Sequence, residues 1–251
     1  MRPIFALLAL ALVACASSPG AADDGPDDDV SAGVVHGTAD GDAHPAVVAI
    51  AIGARGLCTG TLVASRVVLT ARHCVSRTSA SVDCSRDGGG AVYGDLPTTA
   101  FAILAGPDVT RAKTIARVSR VVVPERATLC GWDAAALVLD RPVPLPPAPL
   151  AEQAPAEGAL VTLVGYGRQG DDAPAGERRR RRVRVREVGA RELVVGEVTC
   201  HGDSGGPAFD ARGRVVGVVS RGGPGCEGRG VTNVLTRADR MAELVARARV
   251  E

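Results

Sequence analysis

From Val34 onward the chain breaks into short apolar runs divided by Gly, Pro and Asp clusters. That rhythm constrains its fold more than any other feature. Runs at 47–52, 60–63, 67–70, 101–104 and 118–123 read as strands, as do 137–139, 160–164, 183–188, 193–195, 208–209 and 215–220. Many short strands with turn signals between them imply an all-β barrel or sandwich. Few helical stretches intervene, so a parallel α/β sheet is disfavoured. The one clear helix is expected at 237–247, with Thr236 as its cap. Hydrophobic residues make up 46% of the 251 residues, enough for a core, but aromatics only 2%. Val, Leu and Ala must therefore fill that core. A net charge of +1 gives no argument for a nucleic-acid partner.

The N-terminus reads as a targeting segment. Met1-Arg2-Pro3 is a short positive region, and the apolar run from Ile4 to Val13 is too short to span a bilayer. Leu12-Val13-Ala14-Cys15 resembles a bacterial lipobox, which implies a lipid on Cys15. Ala14-Cys15-Ala16 also fits ordinary small-x-small signal cleavage. Either reading sends the protein out of the cytoplasm. Residues 16–33 are small, polar and acidic, the composition of a solvated tether or propeptide. Without Cys15 six cysteines remain, an even number that suggests three disulfides in an exported chain.

Three segments carry chemistry. Leu69-Thr70-Ala71-Arg72-His73-Cys74 ends an apolar run on a histidine, and Gly131-Trp132-Asp133 opens another on an acid. Thr199-Cys200-His201-Gly202-Asp203-Ser204-Gly205-Gly206-Pro207 sets a serine among glycines. A serine hydroxyl is a weak nucleophile until a base takes its proton, and a histidine held by a buried acid is such a base. The chain order is His, Asp, Ser. Gly202-Asp203-Ser204-Gly205-Gly206 also satisfies the G-x-S-x-G elbow, but that elbow needs a following helix and a later histidine. Here Gly-Gly-Pro follows, and no histidine lies after Ser204. The subtilisin order places its acid first.

With these motifs the chain resembles the chymotrypsin/trypsin family of serine peptidases. The likeness runs from about Val34 to the C-terminal helix. Val34-Val35-His36-Gly37-Thr38 is similar to the family's mature N-terminus, Gly165-Tyr166-Gly167 to its Gly-Trp-Gly, and Ser220-Arg221-Gly222 to its Ser-Trp-Gly. The resemblance implies two six-stranded antiparallel β-barrels with the active site between them and a short C-terminal helix. The peptidase domain would be 34–251, with barrels at about 34–141 and 150–251 joined by the proline-rich stretch 142–149. The segment between Arg186 and Cys200 is too short for the family's usual helix there.

By the same resemblance His73 is the base, Asp133 its partner and Ser204 the nucleophile. The N–H groups of Gly202 and Ser204 form the oxyanion hole. Asp203 receives a new α-amine at Val34 after cleavage. Gly33 precedes Val34 where a trypsin-like activator would need a basic residue, so another protease, autolysis or a site formed without cleavage remains open. Val198, six residues before Ser204, takes the pocket-base position; Ser220, Arg221, Gly222 and Gly230 take the walls. Valine at the base implies apolar or small side chains in the substrate, unless Glu197 or Glu227 reaches into the pocket and reverses that preference. Arg221 stands where the family has tryptophan. The family pairs Cys58 with Cys74 and Cys200 with Cys226, which leaves Cys84 with Cys130.

No metal or other cofactor is expected: His36 and His44 are isolated, and the cysteines suit disulfides. The partners expected are a peptide substrate, an activating protease and, through Cys15, a membrane; the chain itself is expected to be monomeric. The arginine run 178–182, extended by Arg184 and Arg186, reads either as an exosite or as a solvated strand face. Two other functions share the motifs: a catalytically silent binding module, and an esterase using the same acyl-enzyme.

Overall fold

The computed structural model describes residues 34–54, 56–86, 89–223 and 225–250. The expected leader 1–15 with Cys15, and the tether 16–33, lie outside the described residues. The first strands are β1 (Thr38–Ala39), β2 (Val47–Ile52), β3 (Gly56–Ala64), β4 (Val67–Thr70), β5 (Ser76–Thr78) and β6 (Val92–Asp95). β7 (Phe101–Ala105), β8 (Lys113–Val122) and β9 (Ala135–Leu139) follow. The second half holds β10 (Leu160–Gly165), β11 (Arg179–Val188), β12 (Glu192–Gly196), β13 (Pro207–Phe209), β14 (Val215–Gly222) and β15 (Thr232–Arg237). A 3-10 turn, Ala238–Arg240, leads to α1 (Ala242–Arg249), the one α-helix among the described residues.

Strands β2-β3-β4-β9-β8-β7 close the first barrel. The second runs β11-β10-β13-β14-β15-β12 and closes through the β11–β12 pairing, with β1 flanking β11. All pairings between these strands are antiparallel. The fold is the expected all-β double barrel. Alternate residues of each strand turn inward, so aliphatic side chains such as Ile50, Leu62, Ile103 and Leu137 fill the first barrel. Leu163, Val185, Leu193 and Leu235 fill the second. Met241, Leu244 and Val245 of the C-terminal segment seal Leu69 and Val218 between the barrels. With so few aromatics, Tyr166 is the largest fully buried side chain. Its hydroxyl donates to Gly106 O at 2.7 Å, which satisfies the one polar atom it buries.

Several expectations change. Thr232–Arg237 is a strand, paired with both β12 and β14, so the C-terminal helix cannot begin at 237. Thr236 is not a helix cap; its hydroxyl donates to Asp133 O at 3.0 Å. The arginine run forms most of β11. Arg178, just before it, is buried, with Nε donating to Asp40 Oδ2 at 3.0 Å and Nη1 to Val47 O at 3.0 Å. It ties the second barrel to the start of the first. Arg181 donates to the carbonyls of Val35 and Glu197, and Arg179 pairs with Glu177. Most of this run is thus committed within the molecule. Three disulfides join Cys58 to Cys74, Cys84 to Cys130 and Cys200 to Cys226.

Candidate active site

His73 lies in a 3-10 turn, Arg72–Cys74, that ends β4. The Cys58–Cys74 disulfide pins that turn to β3. Asp133 stands at the foot of β9 and is 1% exposed. Its Oδ1 accepts from the backbone N–H of His73 at 3.0 Å, and its Oδ2 lies 2.8 Å from His73 Nδ1. A second donor reaches Oδ2 from the other barrel, the hydroxyl of Ser220 on β14, at 2.6 Å. Burial alone would raise the pKa of Asp133. The charge of His73 and these hydrogen bonds outweigh it and hold the carboxylate below its ordinary range. Burial likewise works against a charged His73, but Asp133 overcomes it, and the imidazole pKa is raised above 6.5. A carboxylate on Nδ1 fixes the tautomer whose Nε2 accepts a proton.

The loop before Asp133 is clamped by the second barrel. Gly131 N donates to Glu192 Oε1 at 2.8 Å, and the Arg191 guanidinium lies 3.5 Å over the Trp132 ring. Arg221 meets Glu192 through two bonds of 2.7 and 2.8 Å. The charge that replaces the family's tryptophan is therefore paired. Arg72, also buried, donates to the carbonyls of Pro124 and Arg126, which holds a neighbouring loop against the histidine turn.

Ser204 sits in the turn before β13. Thr59 N donates to Ser204 O at 2.8 Å, and the Thr59 hydroxyl donates to Gly202 O at 2.8 Å. Sequence reasoning did not single out Thr59, because its partners lie some 143 positions away. Cys74 Sγ lies 3.6 Å from Ser204 O, so the histidine turn and the serine turn abut.

The peptide between His201 and Gly202 has a defined orientation. His201 O accepts from Arg168 N at 2.9 Å. In a trans peptide the N–H points opposite to the C=O, so Gly202 N–H is turned away from Arg168. Among the described residues, neither Gly202 N–H nor Ser204 N–H donates a hydrogen bond. Gly202 adopts φ +106°, and a Cβ there would lie 2.9 Å from Gly167 Cα, so a side chain is excluded twice over.

Asp203 points the other way, into the protein, and is 1% exposed. Its carboxylate accepts from Gly167 N at 2.8 Å and Cys200 N at 3.0 Å. Burial raises its pKa to about 7, against the pull of those two N–H groups. Val34 is buried in the second barrel's cluster, and Val35 packs on the Cys200–Cys226 disulfide.

A cleft of about 580 Å³ opens beside Ser204. Ser220, Arg221 and Gly222 form one wall, Thr199 to His201 another. Val198 and Gly230 do not line it. Val198 is fully buried in the barrel core, and Asn233 takes the place at the cleft. No local signal marks Asn233 in the sequence; it depends on the register of β15 against β14. Cys58, His73 and Cys74 bring their ligand atoms within 4.8 Å of one another, but the two sulfurs are bonded and offer no thiolate.

The double barrel and this cleft are those of a serine-type peptidase. The chain belongs to the trypsin family, whose model matches residues 34–245. It is 29% identical over 214 residues to a trypsin-like protease of Streptomyces glaucescens, covering 76% of this chain and 74% of that one. It is 30% identical over 208 residues to a cercarial protease of Schistosoma mansoni, covering 71% and 76%. Among solved structures, mouse neuropsin, a serine protease, superposes with a TM-score of 0.62 at 20% identity, covering 81% of this chain and 94% of that one.

Proposed function

We propose that the chain is an exported endopeptidase in which Ser204 attacks the peptide carbonyl, His73 takes and returns the proton, and Asp133 orients His73. The observation that carries this reading is the hydrogen-bonded chain Ser220–Asp133–His73, together with the abutment of the histidine turn on the Ser204 turn through Cys74. As the serine oxygen bonds to the carbonyl carbon, its proton passes to His73 Nε2, and the carbonyl oxygen takes up negative charge. The two unengaged N–H groups of Gly202 and Ser204 suit that oxyanion. The tetrahedral adduct expels the amine, which leaves with the proton from His73. Water then repeats the sequence on the acyl-Ser204 ester and frees the acid.

Activation follows the same reading. A free amine at Val34 would give Asp203 a cationic partner for a carboxylate that burial disfavours. Val35 packs on the Cys200–Cys226 disulfide, and Cys200 N donates to Asp203. Export accords with three disulfides, which persist in oxidising compartments. Cys15 is the proposed lipid anchor to a cell envelope.

Steady-state hydrolysis of matched peptide amides and esters tests the assignment. Ser204→Ala and His73→Ala should each lower kcat by about 10⁶-fold on amides. Turnover of esters with none of amides would favour an esterase. Full amide turnover by Ser204→Ala would refute the nucleophile.

A further inference from the structure

The floor of the cleft is polar, though valine occupies the position expected there. Asn233 is 1% exposed and lies at the cleft. Its Oδ1 accepts two backbone hydrogen bonds, from Val198 N at 2.8 Å and Thr199 N at 3.0 Å. Flipping the amide would set its NH₂ against two N–H donors, so the orientation is fixed. Nδ2 is therefore the group left over. It lies against Gly222 in the cleft wall and has no hydrogen-bond partner among the described residues. The Thr199 hydroxyl, also at the cleft, has none either.

We propose that Asn233 selects the substrate side chain at this cleft, and that the side chains selected are uncharged carboxamides, glutamine or asparagine. The proposal rests on the peptidase reading above. A carboxamide oxygen accepts from Asn233 Nδ2, and its NH₂ donates to Thr199 Oγ1. An apolar side chain would cover Nδ2 and leave it without a partner, at the cost of an unmade hydrogen bond.

Among the described residues lining the cleft, no permanently charged group is left free to pair with a charged side chain. Arg221 lines the cleft, but its guanidinium is held by Glu192. Glu197 accepts from Gly228 N and faces His36, and Glu227 also faces His36; neither lines the cleft. A carboxylate or ammonium desolvated on this neutral floor would be unpaired.

The test compares peptide substrates that differ only in the residue before the scissile bond: Gln, Asn, Leu, Glu and Arg. Fluorophosphonate titration of Ser204 counts competent sites independently of side-chain preference. The expected kcat/KM for Gln or Asn exceeds that for Leu, Glu and Arg by about tenfold or more. Asn233→Asp keeps an acceptor for Val198 and Thr199 N–H and replaces the donor with a carboxylate. It should lose about tenfold on Gln and gain Arg. If this variant does not fold, the wild-type ranking decides alone. A wild type that favours Leu over both amides would overturn the proposal. So would an unchanged ranking in a fully titrating Asn233→Asp. Wild-type protein with Val34 exposed that neither titrates nor cleaves any member would overturn the peptidase reading, and this proposal with it.

Discussion

Ser220 donates to Asp133 Oδ2 at 2.6 Å, the oxygen that also lies 2.8 Å from His73 Nδ1. The two residues come from different barrels, so this bond aligns the barrels at the point where the chemistry is assigned. Removing the hydroxyl leaves Asp133 with one fewer donor and more freedom to rotate. Ser220→Ala should lower kcat/KM by about tenfold, the equivalent of one hydrogen bond. Kinetics on a fixed peptide amide checks this; an unchanged kcat/KM would make the bond incidental.

The pH profile follows from His73. As the proposed base, His73 would work only when neutral, and Asp133 holds its pKa above 6.5. Activity should therefore climb through a single acid limb centred above pH 6.5 and be lost below it. Asp133→Asn removes the charge that stabilises the imidazolium, so its residual activity, about 10⁴-fold lower, should show that limb displaced to lower pH. The measurement is kcat/KM from pH 5 to 9, for both proteins. A wild-type limb below 6.5 would contradict the arrangement.

Asp203 couples stability to pH with the opposite sign from most carboxylates. Its pKa is raised from 3.8 to about 7, so between those values the folded chain binds a proton that the unfolded chain does not. Its contribution is complete below pH 3.8 and is lost as pH rises to about 7. The swing is on the order of 4 kcal/mol. Denaturant unfolding of chain not cleaved before Val34 should show Asp203→Asn gaining stability relative to wild type between pH 4.5 and 7.5. Parallel curves would refute the shift. Exposing a Val34 amine should shrink the difference.

Gly202→Ala introduces a Cβ at φ +106°, 2.9 Å from Gly167 Cα. Relieving that contact must turn or displace the Gly202 N–H. The expected result is a loss of about 10²–10³ in kcat, the effect of removing one oxyanion donor, with KM much less affected. A compensating rise in KM alone would argue against an oxyanion role.

What could be read along the chain was whatever the chain expresses locally. The apolar runs of β2, β4, β9 and β10 alternate with turn residues and were legible, as was the double barrel through its motifs. The β5–β6 hairpin was not, because Ser76–Thr78 and Val92–Asp95 carry little apolar signal. Thr232–Arg237 was missed because a single strand with Asn, Thr and Arg among its aliphatics merges into the helix that follows. Arg178 looked like part of a charged surface; its partner Asp40 lies 138 residues away, beyond any pattern in sequence. Asn233 reaches the cleft, and Val198 leaves it, through pairing across β14 and β15. Roles fixed by long-range register have no local signature.

The central assignment is Ser204 as a nucleophile activated by His73. The most direct test is mass-spectrometric mapping of a fluorophosphonate adduct on protein with Val34 exposed, alongside Ser204→Ala and His73→Ala. The account expects one adduct per chain, on Ser204, absent from Ser204→Ala and formed far more slowly in His73→Ala. An adduct elsewhere, none at all, or equal labelling without His73 would contradict it.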